Sequence, residues 1–157
     1  MKTPVQFRCN GSPAAVFVDG GESLLTTLRE RIGDHAPKFG CGQGTCGTCT
    51  VLIDGAPHLA CLTLTEIVAD RDVQTTSGLK RGPALHPLQT AFMEGFAAQC
   101  GYCTPGMLMA AKALLDRNAS PSREEVVEAI SGNICRCTGY EPIIDAVLVA
   151  SRMRPHA

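Results

Sequence analysis

Three cysteines stand within nine residues of this chain, separated mostly by glycine and threonine. They are Cys41, Cys46 and Cys49, and Cys61 follows after eleven intervening residues. The stretch 39–50 has no charged side chain, so no carboxylate adds negative charge beside the thiols. Glycine reaches positive φ without a Cβ clash, so such a loop can turn tightly and direct backbone N–H groups at sulfur. These features favour thiolates that surround an anionic metal cluster.

The gaps between these thiols indicate which cluster they hold. The pattern Cys41-x4-Cys46-x2-Cys49, completed by Cys61, is the spacing with which plant-type ferredoxins bind a [2Fe-2S] cluster through four thiolates. We therefore predict that these four cysteines are metal ligands.

A second group of thiols lies in the C-terminal half of the chain. Cys100 and Cys103 share one short segment, and Cys135 and Cys137 share another. Each segment falls between two predicted helices, so two loops should bring the two pairs of thiols together. A single residue separates Cys135 from Cys137, whereas two or more residues separate the cysteines of an ordinary zinc knuckle. These four cysteines are therefore predicted to bind a second cluster.

The composition limits the other possibilities. A chain of 157 residues with 45% hydrophobic residues can bury a core, so nine cysteines are not needed as a disulfide framework. A net charge of −1 gives no support for a nucleic-acid partner. No apolar run reaches the roughly 18 residues of a membrane span, and no signal-type stretch is evident, so we expect a cytoplasmic protein. The ninth thiol, Cys9, falls on the apolar side of a strand and is predicted to be a buried structural cysteine.

The elements that must position the thiols change character along the chain. The first half alternates apolar and polar residues, with Asn10-Gly11 and Asp54-Gly55 as hairpin turns. Its pattern predicts strands near 5–9, 16–18, 50–53, 58–62 and 72–75, and a helix over 24–31 after the cap Ser23.

In the second half the period lengthens to nearly four residues. Four short helices are predicted there, opened near His86-Pro87, Thr104-Pro105, Ser122 and Pro142, with a capping box at Ser122 and with Gly132 ending the third. Met107 and Met109 are predicted to be core residues of the second of these helices.

The fold class follows as α+β: a small β-grasp, ferredoxin-like domain followed by a four-helix bundle. The predicted boundaries are 1–76 for the first domain, 77–86 for a Gly- and Pro-rich linker, and 87–157 for the helical domain.

Together these motifs resemble the iron-sulfur small subunit of the molybdenum hydroxylases, the xanthine dehydrogenase and aldehyde oxidase family. The match covers residues from about 5 to about 150. It is carried by Gly40-Cys41-x4-Cys46-Gly47-x-Cys49-Thr50-Val51, Gln99-Cys100-Gly101-Tyr102-Cys103-Thr104-Pro105-Gly106 and Gly132-Asn133-Ile134-Cys135-Arg136-Cys137-Thr138-Gly139-Tyr140.

The resemblance implies a function and partners. Electrons would leave a molybdopterin cofactor on a large subunit, pass through the cluster of the helical domain and then the ferredoxin-like cluster, and reach FAD on a medium subunit or another acceptor. Cys137 and Gln99 would approach the pterin. This chain would make and break no substrate bonds itself, and its length leaves no room for a flavin or molybdenum domain, so we expect it to act as a subunit.

Two other functions remain open from the residues. A zinc adapter with four-cysteine sites would be a binding module, and the Cys135-x-Cys137 spacing argues against it. A free-standing ferredoxin would leave the helical domain without an evident purpose. The substrate, the terminal acceptor, the copy number of the assembly and the reduction potentials are not encoded in these patterns.

Overall fold

The computed structural model describes residues 2–80 and 82–153. A mixed sheet with one short helical segment is followed by four helices. The strands are β1 (Lys2–Cys9), β2 (Ser12–Asp19), β3 (Thr50–Ile53), β4 (Ala56–Leu59) and β5 (Asp72–Gln74); the helices are α1 (Leu24–Thr26, continued by a π-helical segment, Thr27–Ile32), α2 (Pro87–Glu94), α3 (Thr104–Arg117), α4 (Arg123–Ile130) and α5 (Glu141–Arg152).

The five strands are ordered β2-β1-β5-β3-β4. β1 is antiparallel to β2 and parallel to β5, while β3 is antiparallel to both β4 and β5. Both predicted hairpins are confirmed, and all four residues of their Asn-Gly and Asp-Gly turns have positive φ. The second hairpin differs in extent, because its two-residue turn places Ala56 opposite Ile53 and the strand ends at Leu59. The chain then turns, with Leu59 O accepting from Thr63 N at 3.1 Å, and Cys61 lies in this turn and not in a strand as predicted.

The predicted helix over 24–31 is present, but most of it has π-helical turns. In this wider geometry the Thr27 hydroxyl and the Arg31 guanidinium reach the same carboxylate, that of Glu22, with Thr27 Oγ1 and Arg31 Nε each at 2.7 Å. The hydrogen bond from Arg31 lowers the pKa of Glu22 to about 2. Gly33, at φ 80°, ends the segment.

The four C-terminal helices begin close to the residues at which the sequence predicts them to open. His86 Nδ1 accepts from Leu88 N at 3.2 Å, and Ser122 forms the predicted capping box with Glu125. The predicted end of α4 at Gly132 is wrong, because the helix stops at Ile130 and Gly132 does not take the left-handed conformation of a glycine cap. None of the helices in the described ranges combines the length and the apolar composition that crossing a membrane requires.

The segment that connects β5 to α2 is hydrogen-bonded to the sheet domain at its start. Asp34 accepts hydrogen bonds from Thr75 Oγ1 at 2.5 Å and Ser77 Oγ at 2.8 Å, and Ala36 N donates to it at 3.0 Å. Burial alone would raise the pKa of Asp34, but these donors outweigh it and hold the pKa below its usual value. Leu79, within the predicted linker, is buried in the helical core.

One strand belongs to both cores. Val51 and Ile53 on β3 face the core of the sheet domain, together with Leu24 and Leu28 of the first helix. Leu52, between them, points to the other face and is buried among residues of the helical domain, including Met107 of α3. Because successive side chains of a strand alternate between faces, β3 joins the two hydrophobic cores. Met107 and Met109 are fully buried, which confirms their predicted role.

We predict that Leu52→Ala lowers the free energy of unfolding by about 2–5 kcal/mol, because it leaves a cavity where the two domains meet. Urea unfolding followed by circular dichroism measures the change. Phe17→Ala, at a position that is 63% exposed on β2, is the control and should stay within about 0.5 kcal/mol of the wild type. Equal effects of the two substitutions would contradict a shared core.

Candidate functional site

Three cysteines of the first thiol set, Cys41, Cys46 and Cys49, lie in the loop between α1 and β3. The fourth, Cys61, lies in the turn after β4. Cys41, Cys46 and Cys61 are partly exposed, and Cys49 is buried at the start of β3. Gly42 and Gly44 have left-handed φ angles of 67° and 82°, which the tight turns of this loop require.

Backbone amides of this loop point at sulfur, as the glycine-rich sequence suggested. Gln43 N and Thr45 N lie 3.5 Å and 3.4 Å from Cys41 Sγ. Hydrogen bonds from Thr45 and Gln43 lower the pKa of Cys41 to about 5. The Thr48 hydroxyl lies 3.3 Å from Cys46 Sγ. The two backbone amides stabilise negative charge on the Cys41 sulfur.

The thiols of this set are close enough to affect one another. Burial raises the pKa of Cys49 to about 12, and the neighbouring Cys61 and Cys46 thiols contribute to the rise. A buried thiol of this kind does not ionise alone at neutral pH, but a metal ion can replace its proton.

The second set is formed by the two predicted inter-helix loops. Cys100 and Cys103 lie between α2 and α3, and Cys135 and Cys137 lie between α4 and α5. Cys100 Sγ is 3.6 Å from Cys137 Sγ, and both side chains are exposed. Cys103 and Cys135 are buried. The loops thus pair one exposed and one buried cysteine from each segment.

The two buried cysteines of this set have pKa values shifted in opposite directions. Burial raises the pKa of Cys103 to about 12, with a further contribution from the Cys135 thiol. Burial also acts to raise the pKa of Cys135, but hydrogen bonds from Thr138 and from backbone amides outweigh it and lower the pKa. Thr138 Oγ1 lies 3.2 Å from Cys135 Sγ. A threonine hydroxyl therefore contacts a cysteine sulfur in both sets.

This donor set fits an iron-sulfur cluster. Two thiolates on one tetrahedral metal ion, with bonds of about 2.3 Å, lie roughly 3.8 Å apart, close to the separation of the Cys100 and Cys137 sulfurs. Among the described residues, no three His, Cys, Asp or Glu side chains form a group that could hold a single metal ion. Two such pairs of thiolates, one pair on each of two irons, would use all four cysteines of a set.

The two thiol loops touch each other directly. Ile134 N donates to Cys46 O at 2.9 Å, and Tyr102 Oη donates to Phe39 O at 2.5 Å. The amide of Asn133, whose residue is 5% exposed, donates to Gly47 O at 2.8 Å. The sequence motifs place the loops at helix ends but do not show that the loops meet.

This contact depends on missing side chains. A Cβ at Gly106, in the first turn of α3, would overlap the carbonyl oxygen of Gly47 and lie 3.0 Å from Asn133 Nδ2. A Cβ at Gly47 would overlap Gly132 O and the Asn133 amide. Three backbone segments therefore pack at a distance that only glycine permits.

Other predicted residues are placed as follows. Gln99 is exposed beside Cys100, on the same surface loop, and Cys137 is exposed. Cys9 is buried on β1, as predicted, and burial, with a smaller effect of Asp34, raises its pKa to about 11. Sequence reasoning assigned no role to Thr48, Thr138 or Asn133; the only available signal was that each lies within two residues of a predicted ligand.

Two protein families match this chain. Residues 7–74 match the family described as "2Fe-2S iron-sulfur cluster binding domain", and residues 75–148 match the family described as "[2Fe-2S] binding domain". The matches cover both thiol sets.

Relatives of similar length resemble nearly all of the chain. The nicotine 6-hydroxylase small subunit of Paenarthrobacter nicotinovorans is 47% identical over 95% of this chain and 90% of its own length. A nicotinate dehydrogenase subunit of Pseudomonas putida is 43% identical over 98% of both chains. Among solved structures, a chain of quinoline 2-oxidoreductase from Pseudomonas putida 86 superimposes with a TM-score of 0.93 at 45% identity, covering 96% of this chain and 94% of that one.

We predict that Gly106→Ala costs about 1–3 kcal/mol of stability and makes bound iron more labile, because the new methyl group pushes α3 away from the Gly47 carbonyl. Chelator-induced iron loss, followed by visible absorbance, and thermal unfolding measure the two effects. Gly132→Ala is the matched control, since a Cβ there meets nothing within 4 Å. Equal lability in both variants would contradict the steric explanation.

Proposed function

Since this chain belongs to the small iron-sulfur subunits of the molybdenum hydroxylase family, we propose that it relays electrons between the other parts of an oxidoreductase complex. Electrons would enter from the molybdopterin site of a large subunit, pass through two [2Fe-2S] clusters, and leave to FAD on a medium subunit or to another acceptor. The observation that carries the proposal is the direct hydrogen bond between the two thiol loops, Ile134 N to Cys46 O.

Each thiol set would hold one cluster. Bound [2Fe-2S] clusters supply one-electron oxidation and reduction, which no side chain of this chain supplies. The protein ligates them, directs hydrogen bonds at the sulfurs and buries one side of each set. The proposed ligands are Cys41, Cys46, Cys49 and Cys61 for one cluster and Cys100, Cys103, Cys135 and Cys137 for the other.

The contact between the loops supports transfer between the two sets. Cys46 is a proposed ligand of the first cluster, and its carbonyl accepts from the amide of Ile134. Cys135, a proposed ligand of the second cluster, is the next residue in the chain. One hydrogen bond and a few covalent bonds therefore connect a ligand of one set to a ligand of the other.

The surface around the second set suits a protein partner. Tyr102 and Ile134 are 49% and 53% exposed and lie in the segments that hold the thiols, and Phe96, near the start of the Cys100 loop, is 82% exposed. Patches of exposed apolar side chains mark interaction sites. We propose that they dock the large subunit, so that Gln99 and Cys137 approach its pterin.

The loop around the first set would approach the flavin subunit. Phe39 and Leu62 are 60% and 58% exposed there. A Cβ at Gly42 would come within 3.2 Å of the Phe39 ring, and one at Gly44 would meet Leu62. These two apolar side chains therefore flank the glycine turns 42–45, which we propose as the contact face.

The substrate of the complex is set outside this chain. The names of relatives include nicotine and nicotinate, and also aldehydes in the aldehyde oxidoreductase of Megalodesulfovibrio gigas, which is 45% identical to this chain. Closely similar iron-sulfur regions thus belong to enzymes named for different substrates, as expected if specificity is determined outside this region. The cytoplasmic location stays a prediction.

The cluster content tests the proposal. The purified complex should contain about four iron and four sulfide per copy of this chain and give two [2Fe-2S] EPR signals after dithionite reduction. Cys41→Ser should remove one signal and Cys100→Ser the other, each halving the iron, because each variant loses a ligand of one set. Cys9→Ser is the control and should keep both signals. Zinc in place of iron and sulfide would favour the adapter, and a coloured chain that never associates with a large subunit would favour a free-standing ferredoxin.

The role of Gln99 is tested separately. Gln99→Ala should slow the reduction of this chain by substrate in the assembled complex several-fold, without loss of iron, because the residue would connect the pterin to the second set. Stopped-flow absorbance measures the rate. Gln6→Ala, exposed on β1, is the matched control and should leave it unchanged. An unchanged rate in Gln99→Ala would show that the side chain serves only the helix end.

A further inference from the structure

We propose that Asn133 is a positioning residue for electron transfer, because its buried amide fixes the relative placement of the two cysteine loops. The inference rests on the proposed relay, since placement matters only if electrons pass between the two sets. Asn133 is not a ligand and bears no charge. It acts through the backbone of residues that flank the ligands.

The side-chain amide nitrogen of Asn133 donates two hydrogen bonds, both to residues of the ferredoxin-like domain. This nitrogen, Nδ2, donates to Gly47 O at 2.8 Å and to Thr50 Oγ1 at 3.3 Å. Both bonds connect residues more than eighty positions apart in sequence. A buried amide donor that loses such acceptors costs free energy, so the side chain holds its partners in place.

The carbonyl oxygen of Gly47, which accepts from Asn133, has further donors. Gly47 O also accepts from Thr50 Oγ1 at 2.7 Å and from Thr50 N at 3.1 Å. Three donors therefore converge on the carbonyl that directly follows Cys46. Its orientation is fixed by β3 on one side and by the helical domain, through Asn133, on the other.

The next residue makes the bond that links the thiol sets. Asn133 and Ile134 donate to the carbonyls of Gly47 and Cys46, so consecutive donors in one loop face consecutive acceptors in the other. The Asn133 bond restrains the geometry of the Ile134 bond, because Ile134 N belongs to the peptide unit next to the Asn133 Cα, and the two acceptor carbonyls belong to adjacent peptide units that meet at the Gly47 Cα. A change in the first is transmitted to the second over one residue.

Little else in the neighbourhood could take over this role. Gly106 and Gly47 present backbone, not side chains, to the amide, and a Cβ at either would crowd Nδ2. The pocket is shaped for a short side chain with two donors. Truncation of Asn133 would leave the Gly47 carbonyl with its two Thr50 donors only, without its bond to the helical domain, and would open a gap between the loops. Electronic coupling falls more steeply across a gap than along bonds, so transfer should slow although every ligand is still present.

The experiment compares variants in the assembled complex. A light flash generates a deazaflavin radical, which delivers one electron, and the visible spectra follow its equilibration between the two clusters. EPR of the dithionite-reduced complex records the spin coupling between them. We expect Asn133→Ala to keep its iron and sulfide but to equilibrate several-fold more slowly and to show weaker spin coupling. Unchanged rate and coupling at full iron content would overturn the inference.

Two further variants complete the test. Asn118→Ala is the matched control: it also removes an amide that donates twice, here to Glu125, and that in addition accepts from Ser120 N, within the helical domain but away from the thiols, and it should leave rate and coupling unchanged. Thr50→Val removes one acceptor of Asn133 and one donor to Gly47 O but leaves the bond from Asn133 to Gly47 O, so it should slow equilibration less than Asn133→Ala does. If Asn133→Ala loses iron, Thr50→Val decides: slowed transfer supports the inference, and normal transfer overturns it. A wild-type complex without transfer between two clusters would instead overturn the proposed function.

Discussion

The arrangement of the whole molecule depends on one place where three backbone segments meet without side chains between them. The loop at Gly47, the first turn of α3 at Gly106 and the loop at Gly132 pack so closely that a Cβ at Gly47 or Gly106 would overlap a carbonyl oxygen. Helix α3 begins immediately after Cys103, and Gly47 lies between Cys46 and Cys49. The steric fit of these segments therefore sets the relative position of the two thiol sets. Hydrogen bonds from Asn133 and Ile134 then hold that position.

Each thiol set has an inner and an outer side. In the second set, Cys103 and Cys135 are buried, and Cys100 and Cys137 are exposed. In the first set, Cys49 is buried and the carbonyl of Cys46 contacts the other loop, whereas Cys41 is partly exposed. The inner sides face each other across the junction, and the outer sides remain accessible to partners. Such a polarity suits a relay with one entry and one exit, because the exposed cysteines can approach a partner while the buried ones lie toward the protein interior.

Much of the fold could be predicted because it depends on local signals. The Asn10-Gly11 turn, the Ser122 capping box and the proline at the start of α2 each act within a few residues, and the structure shows all three. The extent of β4 and the end of α4 were less accessible, because register and capping geometry decide them. The approach of the two loops could not be predicted at all. Nothing in the spacing of Cys46 and Asn133 shows that residues so distant in sequence share a buried hydrogen-bond network.

The shared core explains how one design can serve in different assemblies. Leu52 extends from the sheet into the helical core, and Leu79 fixes the connection against the same helices, so the two domains pack as partners within one chain. The junction between the thiol sets is internal and needs no contribution from another protein. A unit of this kind can be a separate subunit, as in the nicotinate dehydrogenase relative, because the match covers 98% of that protein. It can equally form part of a longer chain, as in the aldehyde oxidoreductase of Desulfovibrio gigas, where the match covers 17% of that chain with a TM-score of 0.91. What adapts such a unit to its assembly is then expected on the outer sides of the thiol sets, where apolar residues such as Phe96 and Leu62 are exposed, and not at the junction that Gly47, Gly106 and Asn133 form.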